Sequence, residues 1–69
     1  MRNSLKVERA IKNLTQEQLA KLVGVSRQSI NAIESGKYVP STVLSLKLSK
    51  VFEKSVDQIF QLEENDRTK

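Results

Sequence analysis

The chain has 69 residues, a net charge of +4, and neither cysteine nor histidine. A domain this small buries only about 60% of its extended-chain surface on folding, so its core has little margin. Without thiols or imidazoles it lacks disulfides, the usual zinc ligands and the usual neutral-pH base, so an enzyme would have to work with carboxylates and lysines alone.

Five helices are predicted. The first runs from about Ser4 to Lys12, with Asn13 as a left-handed C-terminal residue. The second starts at Thr15, where Thr15 and Gln18 have the Thr-x-x-Gln spacing of a capping box. Leu19, Ala20 and Val23 share one face of it. Gly24 follows, where the chain turns sharply and a left-handed φ costs glycine little. Val25 plugs the corner, and the small Ala20 lets two helices cross closely. Ser26 caps a third helix, which buries Ile30 and Ile33 and stops at Gly36. Lys37-Tyr38-Val39-Pro40, with the sole proline, forms the one clear loop. Ser41 caps helix 4, which carries Val43, Leu44, Leu46, Leu48, Val51 and Phe52. Ser55 caps helix 5, with Gln58 at capping-box spacing, Val56 and Ile59 buried, and Phe60 a further candidate for burial.

The C-terminal segment has two readings. Phe60-Gln61-Leu62-Glu63 alternates apolar and polar, which fits a strand and equally the last turn of helix 5. A strand needs a partner, and Met1 to Asn3 is the only uncommitted segment. Residues 64–69 are polar throughout and are expected to fray. The chain, 1–69, reads as a single domain with its core between 5 and 60.

Charge is unevenly spread. Residues 1–52 carry nine Lys/Arg against three Asp/Glu, a net of +6, and residues 53–69 carry three against five, a net of −2. The basic part would suit a phosphate-binding surface, though the charge alone is equally what solubility requires. No apolar run approaches the roughly 18 residues of a membrane span, and the basic N-terminus lacks the apolar stretch of a signal peptide.

Residues 16–35 read as a helix-turn-helix, whose second helix is shaped to enter the major groove of DNA. At about 100° per residue, Ile30 and Ile33 point inward with Ser29 beside them. Arg27, Gln28, Asn31, Ala32 and Ser35 point outward. Arginine bonds the two acceptors of guanine, glutamine or asparagine pairs with adenine, and alanine suits a thymine methyl. Gln16 lies at the start of helix 2, where free amides and the helix dipole attract a phosphate. Lys37 and Tyr38 follow the third helix in a loop that would overhang the duplex backbone, though a lone tyrosine equally serves packing. Arg9 on helix 1 and Glu34 on helix 3 are placed to form a bidentate ion pair.

These residues resemble those of the small Cro/C1-type (XRE-type) helix-turn-helix repressors, particularly the stand-alone homodimeric members. The matching string is Leu14-Thr15-Gln16, Leu19-Ala20, Gly24-Val25-Ser26, Ile30, Ile33-Glu34, Gly36 and Pro40-Ser41. Leu44, Leu48, Phe52, Ser55, Asp57 and Ile59-Phe60 suit the family's fourth and fifth helices. The resemblance covers roughly Leu5 to Phe60. It implies an all-α, compact five-helix, lambda-repressor-like domain that binds palindromic operators as a dimer. It places Arg27, Gln28, Asn31 and Ala32 at base-facing positions and Gln16, Ser35 and Lys37 at backbone-facing ones. Arg9 and Glu34 fall where such proteins often hold an internal ion pair. Two residues depart from the pattern. Glu53 stands where glycine or asparagine commonly ends helix 4, which implies a tight or strained turn. Ser49 stands for a usual alanine, with a hydroxyl that can bond a carbonyl one turn earlier.

The expected partners are double-stranded DNA and a second copy of the chain. Ile59, Phe60 and Leu62 carry more apolar surface than a monomer this small readily covers, so they are the expected dimer interface. No cofactor, metal, small-molecule ligand or membrane is expected, and the cytoplasm is the expected location. A repressor is the leading reading. An antitoxin that neutralises a partner protein and represses its own operon is the alternative.

Overall fold

Helix starts and stops set this architecture. The structure, a computed structural model, describes residues 1–67. In chain order they form β1 (Arg2–Asn3), α1 (Leu5–Ile11), α2 (Gln16–Val23), α3 (Arg27–Glu34), α4 (Thr42–Phe52), α5 (Val56–Ile59), β2 (Phe60–Gln61) and a 3₁₀ turn (Glu64–Arg67). Thr15, Ser26 and Ser41 each accept, through the side-chain oxygen, the backbone N–H three residues on, at 3.0, 3.1 and 3.1 Å. These caps satisfy donors that a helix start would otherwise leave orphaned. At α5 the Ser55 N–H donates to the Gln58 side chain at 2.9 Å, while the Ser55 hydroxyl donates to Asp57.

The four longer helices end alike. Asn13, Gly24, Gly36 and Glu53 all have positive φ, between 55° and 80°. In each case the next residue's N–H reaches back five positions: Leu14 to Arg9, Val25 to Ala20, Lys37 to Ala32 and Lys54 to Ser49. This left-handed closure occupies carbonyls the helix end would leave bare, and it reverses the chain within two residues. The core fills the space between the helices so arranged. It consists of Leu5, Leu19, Ala20, Val23, Ile30, Ile33, Leu44, Leu48, Phe52, Ile59 and Phe60, with Met1, Leu14, Val25, Val51 and Val56 packed against it. Val43 and Leu46 face outward on α4.

Of the two readings of the C-terminal segment, the strand holds: α5 is a single turn, and Phe60-Gln61 pairs antiparallel with Arg2-Asn3 in the register Arg2↔Gln61 and Asn3↔Phe60. Other expectations are corrected. Ile59 and Phe60 are 0% and 6% exposed, so the protomer's own core accounts for both, and of the three expected interface residues only Leu62 stays outside. The segment from 64 does not fray at once. Glu64–Arg67 forms the 3₁₀ turn, and the Met1 ammonium contacts Glu63 at 2.9 Å and Asp66 at 3.2 Å. Positions 68 and 69 of the expected frayed tail lie outside the described residues. Ser49 does not bond backward: its hydroxyl donates forward to the Lys54 carbonyl, across the α4–α5 corner.

Candidate nucleic-acid interface

The site is built on the α2–turn–α3 unit, whose two helices share the most extensive packing in the fold. Gly24, at φ 77°, makes the turn, and its N–H donates to the Ala20 carbonyl at 2.8 Å. Ala20 is buried beneath that turn. A larger side chain there would separate the helices, and a Cβ at residue 24 would have to adopt a backbone conformation that only glycine adopts cheaply.

The turn presents α3 with its apolar side inward. Ile30 and Ile33 are 0% and 1% exposed. Arg27, Gln28, Asn31 and Ser35 are exposed on the opposite side, with Ala32 half-buried between them. The Ser35 hydroxyl is turned back onto the Ala32 carbonyl at 3.1 Å. Lys37 and Tyr38 follow in the loop, both exposed. The surface therefore offers two cations and two carboxamides with no acidic side chain among them.

Beneath that surface lies a row of hydrogen bonds. Arg9 Nε donates to Glu34 Oε2 at 2.7 Å, Nη2 donates to Oε1 at 3.2 Å, and Nη1 donates to the Leu14 carbonyl at 2.9 Å. The two side chains are 16% and 7% exposed. The Glu34 carboxylate holds the guanidinium proton more firmly, so the Arg9 pKa lies above its ordinary value. Gln16 Nε2 also donates to Glu34 Oε1, at 3.0 Å, and to Asn31 Oδ1, at 3.2 Å. Arg27 Nη1 donates to Gln16 Oε1 at 3.4 Å. Gln16 thus stands among the residues of α3 while its helix start remains at the surface.

Besides the row through Gln16, two contacts away from it were not foreseen. Asn3 Nδ2 donates to the Ile33 carbonyl at 2.9 Å, which ties the N-terminal strand to the end of α3. Its only trace in the sequence is a capping-type residue ahead of α1, where Asn3 Oδ1 accepts the Leu5 N–H. Glu8 is buried and accepts from Lys54 Nζ at 2.9 Å. Its spacing of three from Leu5 was a sign that it faces the core.

The Helix-turn-helix family model HTH_3 matches residues 5–59, most of the chain. The chain belongs to this Cro/C1-type helix-turn-helix family. An uncharacterized HTH-type transcriptional regulator of Methanocaldococcus jannaschii is 53% identical over 66 residues, covering 96% of this chain and all of its own. The uncharacterized regulator YgzD of Bacillus subtilis is 46% identical over the same length, again 96% of this chain and all of its own. Among solved structures, the restriction-modification controller protein C.AhdI from Aeromonas hydrophila superposes with a TM-score of 0.73 at 34% identity, covering 81% of this chain and 85% of that one. The chain is accordingly a transcriptional regulator with a helix-turn-helix DNA-binding domain of the lambda-repressor-like fold. Among the described residues no helix is long and apolar enough to cross a membrane.

Proposed function

We propose that the protein is a cytoplasmic, sequence-specific repressor that binds a palindromic operator as a homodimer, with α3 of each protomer in the major groove. The observation that carries this reading is the outer face of α3. Arg27, Gln28 and Asn31 are exposed there beside a half-buried Ala32. A helix that had lost its DNA would be free to accumulate acidic or bulky apolar residues on that face, and this one has none. Arg27, Gln28, Asn31 and Ala32 read base edges, while Gln16, Ser35, Lys37 and Tyr38 meet phosphates. Repression follows most simply from occupying a promoter.

A second copy is proposed because one eight-residue helix contacts too few base pairs to define an operator, and a two-fold pair reads two half-sites. Leu62, exposed after β2, is the residue of the C-terminal segment that remains to meet it. Selection of bound duplexes from a random pool tests the reading. A two-fold symmetric consensus supports it, and retention of no sequence contradicts it. A reporter driven through the selected site should fall when the protein is expressed.

A further inference from the structure

Glu34 lies off the reading face, its side chain only 7% exposed, yet it touches a residue on the edge of that face. We propose that Glu34 is a positioning residue for DNA reading, which acts through the Gln16 amide to set the direction in which Arg27 and Asn31 meet a base pair. This inference rests on the DNA-reading role proposed above.

The polarity of the groups fixes the direction of every bond in the row. An ionised carboxylate only accepts, a guanidinium only donates, and a carboxamide has one end of each kind. Arg9 anchors the Glu34 carboxylate through two donors, at 2.7 and 3.2 Å. Glu34 Oε1 must then receive the NH2 end of Gln16, at 3.0 Å. With its nitrogen turned to Glu34, Gln16 directs its carbonyl oxygen at Arg27 Nη1, 3.4 Å away. The second hydrogen of the same NH2 group serves Asn31 Oδ1, at 3.2 Å, and leaves the Asn31 NH2 facing outward. Reversing Gln16 would set its NH2 against the Arg27 guanidinium, donor to donor. One largely buried carboxylate therefore orients donors on two residues that would face DNA. The backbone N–H groups at the start of α2 take no part in the row, so a phosphate contact there is a separate matter.

Glu34→Gln separates orientation from bulk. The new side chain keeps its size, but one of its two acceptor oxygens becomes NH2, which must face either Arg9 Nε or Arg9 Nη2 and Gln16 together. In either orientation Gln16 loses the ionised, doubly anchored acceptor that held it one way round. The experiment starts from the duplex that the wild-type protein selects from a random pool. The base read by Arg27 is the one at which Arg27→Ala loses its preference. The readout is the ratio of Kd values between that duplex and one altered at that base. This ratio does not depend on the folded fraction, so a loss of stability cannot imitate the effect. Glu34→Gln should lower the ratio roughly 3- to 10-fold, the share of about one net hydrogen bond. Gln16→Ala should lower it by a similar factor, and in that background Glu34→Gln should move it less than about twofold. A ratio unchanged by Gln16→Ala overturns the inference even where Glu34→Gln fails to fold. So does an equal effect of Glu34→Gln with and without Gln16. A wild-type protein that selects no sequence overturns the proposed function and this inference together.

Discussion

Arg9 and Glu34 show how a charged pair can specify a small domain without contributing much net stability. Removing two charges from water offsets most of their attraction, but removing one partner strands the other. Here each loss has further consequences, because Arg9 also serves the Leu14 carbonyl and Glu34 also serves Gln16. Arg9→Met or Glu34→Leu alone should cost up to about 3 kcal/mol, and the double replacement should cost less than the sum of the two. Thermal melts of the four proteins measure this. Equal melting points for the wild type and both single variants would show that the pair does not matter. At Glu53 the issue is the backbone. Its φ of 55° is one that side chains with a Cβ adopt at a cost, and among the described residues no hydrogen bond of its side chain compensates. Glu53→Gly should stabilise by about 0.5–1 kcal/mol, or a few degrees in Tm, and a lower Tm would contradict the strain.

Helix ends were the most legible elements. The Ser and Thr caps could be read directly, because a hydroxyl or amide three residues apart from its backbone partner is a purely local signal. Asn13, Gly24 and Gly36 announced their left-handed turns by residue type, while Glu53 did not, since nothing in a glutamate favours that conformation. The side of α3 each residue faces was likewise readable from helical period. The row through Gln16 was not, because it depends on how close α2 and α3 lie. Ile59 was legible as a buried residue of helix 5, yet with Phe60 it was also expected at the interface, and the sequence did not decide between the two. Only the closure of β1 onto β2 shows that the protomer covers them itself. That closure carries a pH signature. The Asp66 carboxyl is held below its ordinary range by the Glu63 N–H and then by the Met1 ammonium, and the Met1 amine is raised above its ordinary value by Glu63 and Asp66. The Asp66 contribution is therefore full above its ordinary pKa and is lost as pH falls through the depressed one. The Met1 contribution is full below its ordinary pKa, about 8, and is lost as pH rises through the raised one. Intrinsic-rate-corrected hydrogen-exchange protection of the Glu63 amide should be greatest between these limits. A flat profile would show that the contacts do not hold the turn in solution.

At the scale of the whole molecule, the basic 1–52 region carries the α2–turn–α3 unit, and the net negative charge lies beyond it. The exposed cations Arg27 and Lys37 on and beside α3 would draw a polyanion to that surface. A two-fold dimer should place its two α3 helices about 34–36 Å apart, one turn of DNA, with half-sites spaced to match. Sedimentation at micromolar concentration should show dimer, and Leu62→Asp should shift it toward monomer. Only monomer, with and without a selected duplex, would contradict the assembly. The division of labour on the α3 surface is the central claim, and it is tested most directly by comparing Gln28→Ala with Lys37→Ala. Each variant is titrated against the selected duplex and a scrambled one at several salt concentrations. Gln28→Ala should cost about 1–3 kcal/mol on the selected duplex and little on the scrambled one. Lys37→Ala should weaken binding to both by a similar factor and reduce the salt slope by about one unit for each phosphate no longer neutralised. If the two variants show the same specificity ratio, the outer face of α3 does not read bases in the way described.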